Sequence, residues 1–189
     1  MKTRTHYLIA KTVSLRSGLS ALERYAFCFG AMMPDFLPTQ FIHKHFYQKS
    51  ADYVFSKIEK YSKRNSLFSF FKLGEMSHYS SDFCCFVHRS GGIGNAAFHL
   101  SYEHRIQHYF LEYYDQLTEE SFSLTVPSSL QAVFQSYFDK DEMEFHTDIS
   151  SAVKASLFIC SLKETESPKE LISFSDSRLQ NISGNSCSG

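Results

Sequence analysis

The stretch 74–88, GEMSHYSSDFCCFVH, places His78 and Asp82 four residues apart and His88 six residues further on. On a helix, residues four apart point in nearly the same direction and lie one turn apart. An imidazole and a carboxylate placed in this way can bind one cation from a rigid backbone. His88 cannot join them on a continuing helix, because six residues rotate a side chain by about 240°. We therefore predict a helix that ends near Phe86, with the glycines after it turning the chain to present His88.

The composition fits a single globular domain with a large aromatic core. The chain has 189 residues, of which 43% are hydrophobic and 16% aromatic, with no Trp. The net charge of −1 gives no basic surface for general nucleic-acid binding. No apolar run is long enough to predict a transmembrane helix. The five cysteines form no CxxC pair, and Lys11 interrupts the apolar N-terminal run. These features predict a reduced, cytoplasmic setting without a clear signal peptide, and secretion stays open.

Helical periodicity predominates over strand patterns, which predicts an all-α, single-domain bundle of about six helices. Ser50 is a candidate N-cap, and Pro34 and Pro38 are expected to bracket a loop around Asp35. The Ser-rich segment 164–189 is predicted to be a flexible tail after a helical domain of residues 1–163. The predicted helices span about residues 20–31, 50–61, 67–86, 96–117, 128–138 and 142–162.

Further potential ligands lie outside the central stretch. His99 and Glu103, in FHLSYE, form a second pair four residues apart on a predicted helix. Other candidates are Asp35 in GAMMPDFLP, His43 and His45 in FIHKHF, and His6 near the N-terminus. His43 and His45 share a side only if the chain is extended, so we expect one of them to bind the ion.

Several of these patterns also have ordinary structural explanations. A single histidine–carboxylate pair is common on solvated helix faces, and Cys84 and Cys85 fit a buried apolar role. His104 and His108 fit a surface stripe, and the apolar run at 66–72 fits a helix core better than a lipid contact. The acidic surroundings of His146 indicate a solvated face formed with Glu142, Glu144 and Asp148. Two such pairs together with His88 and Asp35 are a nitrogen and oxygen ligand set that suits zinc.

The order His6, Asp35, His45, H78-YSS-D82-FCCFV-H88 and H99-LSY-E103 resembles the zinc-dependent phospholipase C family. That family has an all-α fold, shared with the P1/S1 nucleases, and a His-x3-Asp-x5-His motif before His-x3-Glu or His-x3-Asp. The resemblance spans about residues 1–110. His45 is the preferred match over His43, because it directly precedes a predicted helix. The family often has a proline where this chain has Phe86.

By this resemblance, the chain is a phosphodiester hydrolase that activates water at two or three zinc ions. Asp35 would be both a ligand and the catalytic proton acceptor. The third ion in secreted relatives also takes the amine of an N-terminal Trp, which this chain lacks. The substrate would be a phospholipid or other small phosphodiester, with transient contact with a membrane surface and no stable nucleic-acid partner. A zinc nuclease or nucleotidase, or a catalytically idle zinc-stabilised protein, are the alternatives. The implied ligand sets are Asp35, His45, His78 and Asp82 for one ion, His88, His99 and Glu103 for the second, and His6 with a bridging Asp82 for the third.

Overall fold

The fold is all-α, as predicted, in a computed structural model that describes residues 1–36, 45–91, 94–140 and 143–163. Those residues form eight α-helices and a 3-10 helix between α4 and α5. None of these helices is both long and apolar enough to cross a membrane. The α-helices are α1 Thr3–Arg16, α2 Ala21–Phe36, α3 Tyr47–Ser62, α4 Leu67–Phe83, α5 Ala96–Glu112, α6 Tyr114–Ser123, α7 Leu130–Phe138 and α8 Phe145–Ser161, and the 3-10 helix is Phe86–Gly91.

Helix α4 forms the centre of the bundle and packs against α1, α2, α3 and α8. Every residue from Leu73 to Phe83 is buried, which is the expected state of a helix enclosed on all sides. The polar residues of this segment therefore need partners inside the protein. Ser77 and Ser81, for example, place their hydroxyl oxygens 2.8 and 3.1 Å from that of Ser156 on α8.

Helices α2 and α4 touch backbone to backbone at two glycines. A Cβ atom on Gly30 would lie 1.9 Å from the carbonyl oxygen of Phe71, and one on Gly74 would lie 2.0 Å from that of Phe27. No side chain can occupy either position without separating the helices. The absence of these two side chains therefore sets the distance between α2 and α4.

Helix α4 ends before His88, as the sequence predicted, so His88 does not follow the α-helical rotation. The helix begins at a capping box formed by Ser66 and Ser69 and stops at Phe83. The N–H groups of Cys84 and Cys85 then bond to the carbonyls of the preceding turn at 3.1 and 3.0 Å, and the 3-10 helix follows. The prediction that the downstream glycines make this turn was wrong, because the chain has already turned before it reaches them.

Two of the predicted boundaries were wrong because tertiary packing outweighs a local signal. Helix α2 continues through Pro34, so Asp35 lies in its last turn and not in a loop. Pro34 has no N–H, so the helix lacks one hydrogen bond to the carbonyl of Gly30. This loss is tolerated because Pro34 lies near the C-terminus of α2. Ser50 does not cap α3, because that helix begins at Tyr47. Ser50 lies within the first turn, and its side chain is buried.

Two other differences concern helices that lack clear sequence signals. The N-terminal segment forms α1, which the sequence did not predict, and this helix buries Ile9 and Val13 beside His6. The predicted helix 96–117 is divided at Tyr113 into α5 and α6. The predicted tail at 164–189, and His43 and Pro38, lie outside the described residues.

We predict that Gly74→Ala lowers the free energy of unfolding by about 3 kcal/mol, because a methyl group there meets backbone atoms that cannot rotate away. Gly18→Ala is the matched control, since nothing lies within 4 Å of its new Cβ. Urea unfolding of both variants measures the difference. Equal stability of the two variants would show that α2 and α4 tolerate separation.

Candidate metal centre

The innermost potential ligands are His6 on α1 and His78 and Asp82 on α4, whose side chains are completely buried. The four-residue spacing directs His78 and Asp82 to the same side, with 3.5 Å between Nε2 and Oδ2. His78 has a fixed tautomer, because its Nδ1 donates to the carbonyl of Ala31 at 2.9 Å. The close approach of α2 to α4 provides this acceptor. Nε2 of His78 is therefore left as the lone-pair nitrogen that faces the cluster.

The first predicted ligand set converges around His78. Its Nε2 lies 3.6 Å from Oδ1 of Asp35 and 3.4 Å from Nδ1 of His45. His45 Nδ1 also contacts Oδ2 of Asp82. The other oxygen of Asp35 accepts a hydrogen bond from Thr3 at 2.6 Å. The C-terminus of α2, the segment before α3 and the last two turns of α4 thus supply this set.

The second predicted set lies where the 3-10 helix meets α5. The Nε2 atoms of His88 and His99 are 3.0 Å apart, and each lies 3.3 Å from Oε1 of Glu103. His99 and Glu103 share one face of α5 at the expected four-residue spacing. His88 reaches them because the chain turned after α4.

The third group contains His6, the Oδ1 atom of Asp82 and the α-amine of Met1. Nε2 of His6 lies 3.2 Å from Oδ1 of Asp82. The amine of Met1 contacts the same oxygen and lies 3.3 Å from Oε1 of Glu103. The two oxygens of Asp82 therefore face different groups, which is the arrangement that a bridging carboxylate needs.

The spacing of these atoms fits zinc. Ligand atoms about 2.0–2.1 Å from a tetrahedral zinc lie about 3.3 Å from one another. Four overlapping groups of three ligand atoms each lie within 4.8 Å of one another. Several buried nitrogens have no hydrogen-bond partner: both ring nitrogens of His6, Nε2 of His45 and Nδ1 of His88. Since buried polar atoms normally have partners, these unpartnered ring nitrogens and the mixed nitrogen and oxygen donors fit a metal site.

Burial and nearby charges keep the donors in the forms that bind metal. Burial lowers the pKa of His88 to about 4 and that of His78 well below its usual value. Burial alone would raise the pKa of Asp82, but the positive charge of the Met1 amine and the hydrogen bond from His45 lower that pKa well below its usual value. At neutral pH both imidazoles are therefore neutral and Asp82 is ionised.

The Met1 amine has the opposite property. Burial favours its neutral form, yet the charge of Asp82 outweighs burial and raises the pKa of the amine to about 12. An ammonium group has no lone pair, so the amine must lose its proton before it can bind a metal. Metal binding to this amine would therefore release its proton.

Asp148 joins the elements that carry the second ligand set, and sequence reasoning missed it. Its carboxylate is fully buried and accepts three hydrogen bonds of 2.8 Å, from the N–H of Phe86 and the hydroxyls of Tyr102 and Tyr137. Phe86 begins the 3-10 helix that bears His88, and Tyr102 precedes Glu103 on α5. The expected solvated acidic face around His146 was therefore wrong at Asp148. Burial raises the pKa of Asp148 to about 6.

The structure places the remaining candidates as ordinary structural residues. Cys84 and Cys85 are buried free thiols, and His104 and His108 are solvent-exposed, as predicted. The functional groups that the motif did not reveal are the Met1 amine, Thr3, the Ala31 carbonyl and Asp148. The local sequence around each contains no spacing that would identify them.

The fold and the site together define an all-α protein with a histidine- and carboxylate-rich site suited to more than one metal ion. The family model described as "Zinc dependent phospholipase C" matches residues 5–159, and the chain belongs to this family. Comparisons with curated proteins and with solved structures found no match. The resemblance stated from the motifs is thus confirmed at the level of the family. The role of each site residue as a ligand stays a prediction.

We predict that Asp82→Asn lowers zinc content by more than one ion per chain, because its two oxygens face separate ligand groups. The amide has one oxygen and no negative charge, so it cannot bridge two cations. Elemental analysis of the purified, zinc-loaded protein measures the change. His108→Ala, at a side chain that is 83% exposed, is the control and should keep the wild-type content. The same zinc loss in both variants would contradict the assignment.

We also predict that Asp148→Asn costs about 3 kcal/mol of unfolding free energy, because one amide oxygen must replace a carboxylate that accepts three buried hydrogen bonds. Asp139→Asn is the control, since Asp139 is exposed and its carboxylate accepts a hydrogen bond from the exposed side chain of Gln135. Urea unfolding checks the stability, and zinc titration checks the site. If zinc affinity fell in neither variant, Asp148 would support the core alone.

Proposed function

We propose that the protein is a zinc-dependent phosphodiester hydrolase of the phospholipase C type, acting on a phospholipid or another small phosphodiester. The observation that carries the proposal is the convergence of His and carboxylate groups from distant segments at zinc-like separations. Membership of the zinc-dependent phospholipase C family supports the same chemistry. The net charge of −1 provides little general attraction for a polynucleotide, which favours the small substrate.

The residues fit two or three zinc ions, which would bind to the three groups described above. When bound, zinc supplies positive charge that stabilises a phosphodiester oxygen and makes water more acidic. The protein's contribution is to hold the donors rigidly. The innermost side chains are completely buried, whereas Asp35, His45 and His99 keep 23%, 15% and 28% exposure. We infer that substrate approaches from this more exposed side.

Asp35 is the proposed proton acceptor. Thr3 holds its Oδ2 atom, which leaves Oδ1 directed toward the cluster, 3.6 Å from Nε2 of His78. Water would lose a proton to Oδ1 of Asp35 as its oxygen attacks phosphorus, and the bond from phosphorus to the leaving oxygen would break. The leaving oxygen would take a proton from solvent, so the products would be a phosphomonoester and an alcohol. Asp35 is the most exposed carboxylate of the cluster, so its proton can return to solvent.

We predict that Asp35→Asn lowers the hydrolysis rate by at least about a hundredfold, because an amide cannot accept the proton. The assay compares p-nitrophenylphosphocholine with single-stranded DNA, using zinc-loaded protein. Asp52→Asn, at an exposed carboxylate on α3, is the control and should retain wild-type activity. Removal of zinc by a chelator should abolish turnover, and added zinc should restore it.

The outcomes separate the proposal from its alternatives. Cleavage of DNA without cleavage of the choline ester would indicate a nuclease. Bound zinc without turnover of either substrate would indicate a catalytically idle protein that uses zinc for stability. Activity that survives complete loss of zinc would contradict all three functions.

A further inference from the structure

Helix α2 exposes an unusual stripe of large apolar side chains. Tyr25, Phe29, Met32 and Phe36 recur at spacings of four, three and four, so they lie along one face of the helix. Tyr25 and Phe36 are 70% and 69% exposed and Phe29 is 42% exposed, and Leu22 extends the stripe with 67% exposure. Single exposed apolar side chains are common on protein surfaces, but a contiguous stripe of them marks an interaction surface.

Helix α4 continues the stripe through contacts between rings. Phe29 lies 6.1 Å from Tyr25 and 5.8 Å from Phe71, which lies 6.4 Å from Phe68. Phe68 and Leu67 are 58% and 50% exposed, so the expectation that the run at 66–72 is helix core was wrong for these two residues. These side chains on α2 and α4, together with the half-buried Phe71, form one surface, which we name the aromatic face: Leu22, Tyr25, Phe29, Phe36, Leu67, Phe68 and Phe71.

Cationic side chains border the aromatic face. A groove of about 280 Å³ between α1 and α2 is lined by Tyr25 and Phe29 together with Lys11 and Arg24. Nζ of Lys72 lies 5.5 and 5.3 Å from the ring centres of Phe68 and Phe71. Helix α1 carries three Lys or Arg residues and no acidic one. An apolar surface with a positive border complements a layer of anionic headgroups above acyl chains.

Two carboxylates near this border lie outside the groove. Glu23 accepts a hydrogen bond from the N–H of Ser20 at 2.7 Å, and Glu75 pairs with Lys72 at 2.7 Å. Neither carboxylate lines the groove that contains Lys11 and Arg24. The groove therefore keeps a positive charge beside exposed tyrosine and phenylalanine rings, which are side chains that favour the boundary between water and lipid.

We propose that the aromatic face docks on the surface of a bilayer that contains anionic phospholipid. The rings enter the headgroup layer, Lys11 and Arg24 contact lipid phosphates, and the groove accepts the upper part of an acyl chain. Phe36 directly follows Asp35, so the stripe on α2 ends next to the candidate metal centre. The benefit of this location rests on the proposed function, since docking would bring lipid phosphodiesters to the site. Binding itself requires no catalysis.

The test is co-sedimentation of the full chain with vesicles of phosphatidylcholine, with and without phosphatidylserine. We expect the mixed vesicles to bind the wild-type protein more tightly, and the triple variant Leu22→Ser, Tyr25→Ser, Phe68→Ser to bind at least about tenfold more weakly. Lys11→Glu should weaken binding only to the anionic vesicles. The control Tyr113→Ser alters an exposed aromatic side chain on another part of the surface and should bind as the wild type does.

Each outcome decides the proposal. Wild-type binding that the triple variant retains, or no wild-type binding to either vesicle, overturns it. A dimer in solution that the triple variant dissociates, without vesicle binding, assigns the aromatic face to a second copy of the chain instead. Hydrolysis of the soluble choline ester is measured in parallel and should be equal in wild type and triple variant. Vesicle binding without hydrolysis would contradict the proposed function alone, and hydrolysis without vesicle binding would contradict docking alone.

Discussion

The structure depends on a carboxylate that is buried without access to water. Asp82 has no exposed surface, and an isolated charge in that position would cost several kcal/mol or more. Its two oxygens are instead surrounded by the Met1 amine and by imidazoles from several segments of the chain. These groups must arrive together, because the amine supplies the opposite charge and the imidazoles enclose the rest of the carboxylate. The N-terminus, α1, the segment before α3, the end of α4 and the 3-10 helix are thereby required to meet at one point.

The positions of these ends follow from packing more than from helix propensity. Gly30 and Gly74 allow α2 and α4 to touch, and that contact brings the Ala31 carbonyl to Nδ1 of His78. At the other side, Asp148 holds the start of the 3-10 helix and the hydroxyl of Tyr102 on α5. The imidazoles are therefore oriented by the same contacts that hold the bundle together. Loss of an orienting contact would therefore lower both the stability of the bundle and the metal affinity of the candidate site.

The sequence predicted most of the side chains that converge in the candidate site, because they occur in local pairs. The spacings of His78 with Asp82 and of His99 with Glu103 follow from helix geometry, and the need to redirect His88 correctly implied that α4 stops. Asp35 was identified as a candidate, but the predicted loop around it was wrong, because α2 continues through Pro34. Thr3 and Asp148 could not be predicted, and the resemblance indicated an N-terminal amine only as that of a Trp. Their roles depend on contacts with residues far away in the chain.

The division between buried and exposed donors connects the site with the outer surface. A donor that is closed to water on every side can hold a cation but cannot exchange protons with solvent or admit a substrate. His6, His78 and Asp82 are of this kind, whereas Asp35 retains access. Asp35 is also the donor at the end of the apolar stripe on α2. Because α2 carries both the accessible carboxylate and the apolar stripe, a lipid layer covering the stripe would lie beside the side of the cluster that is open to solvent.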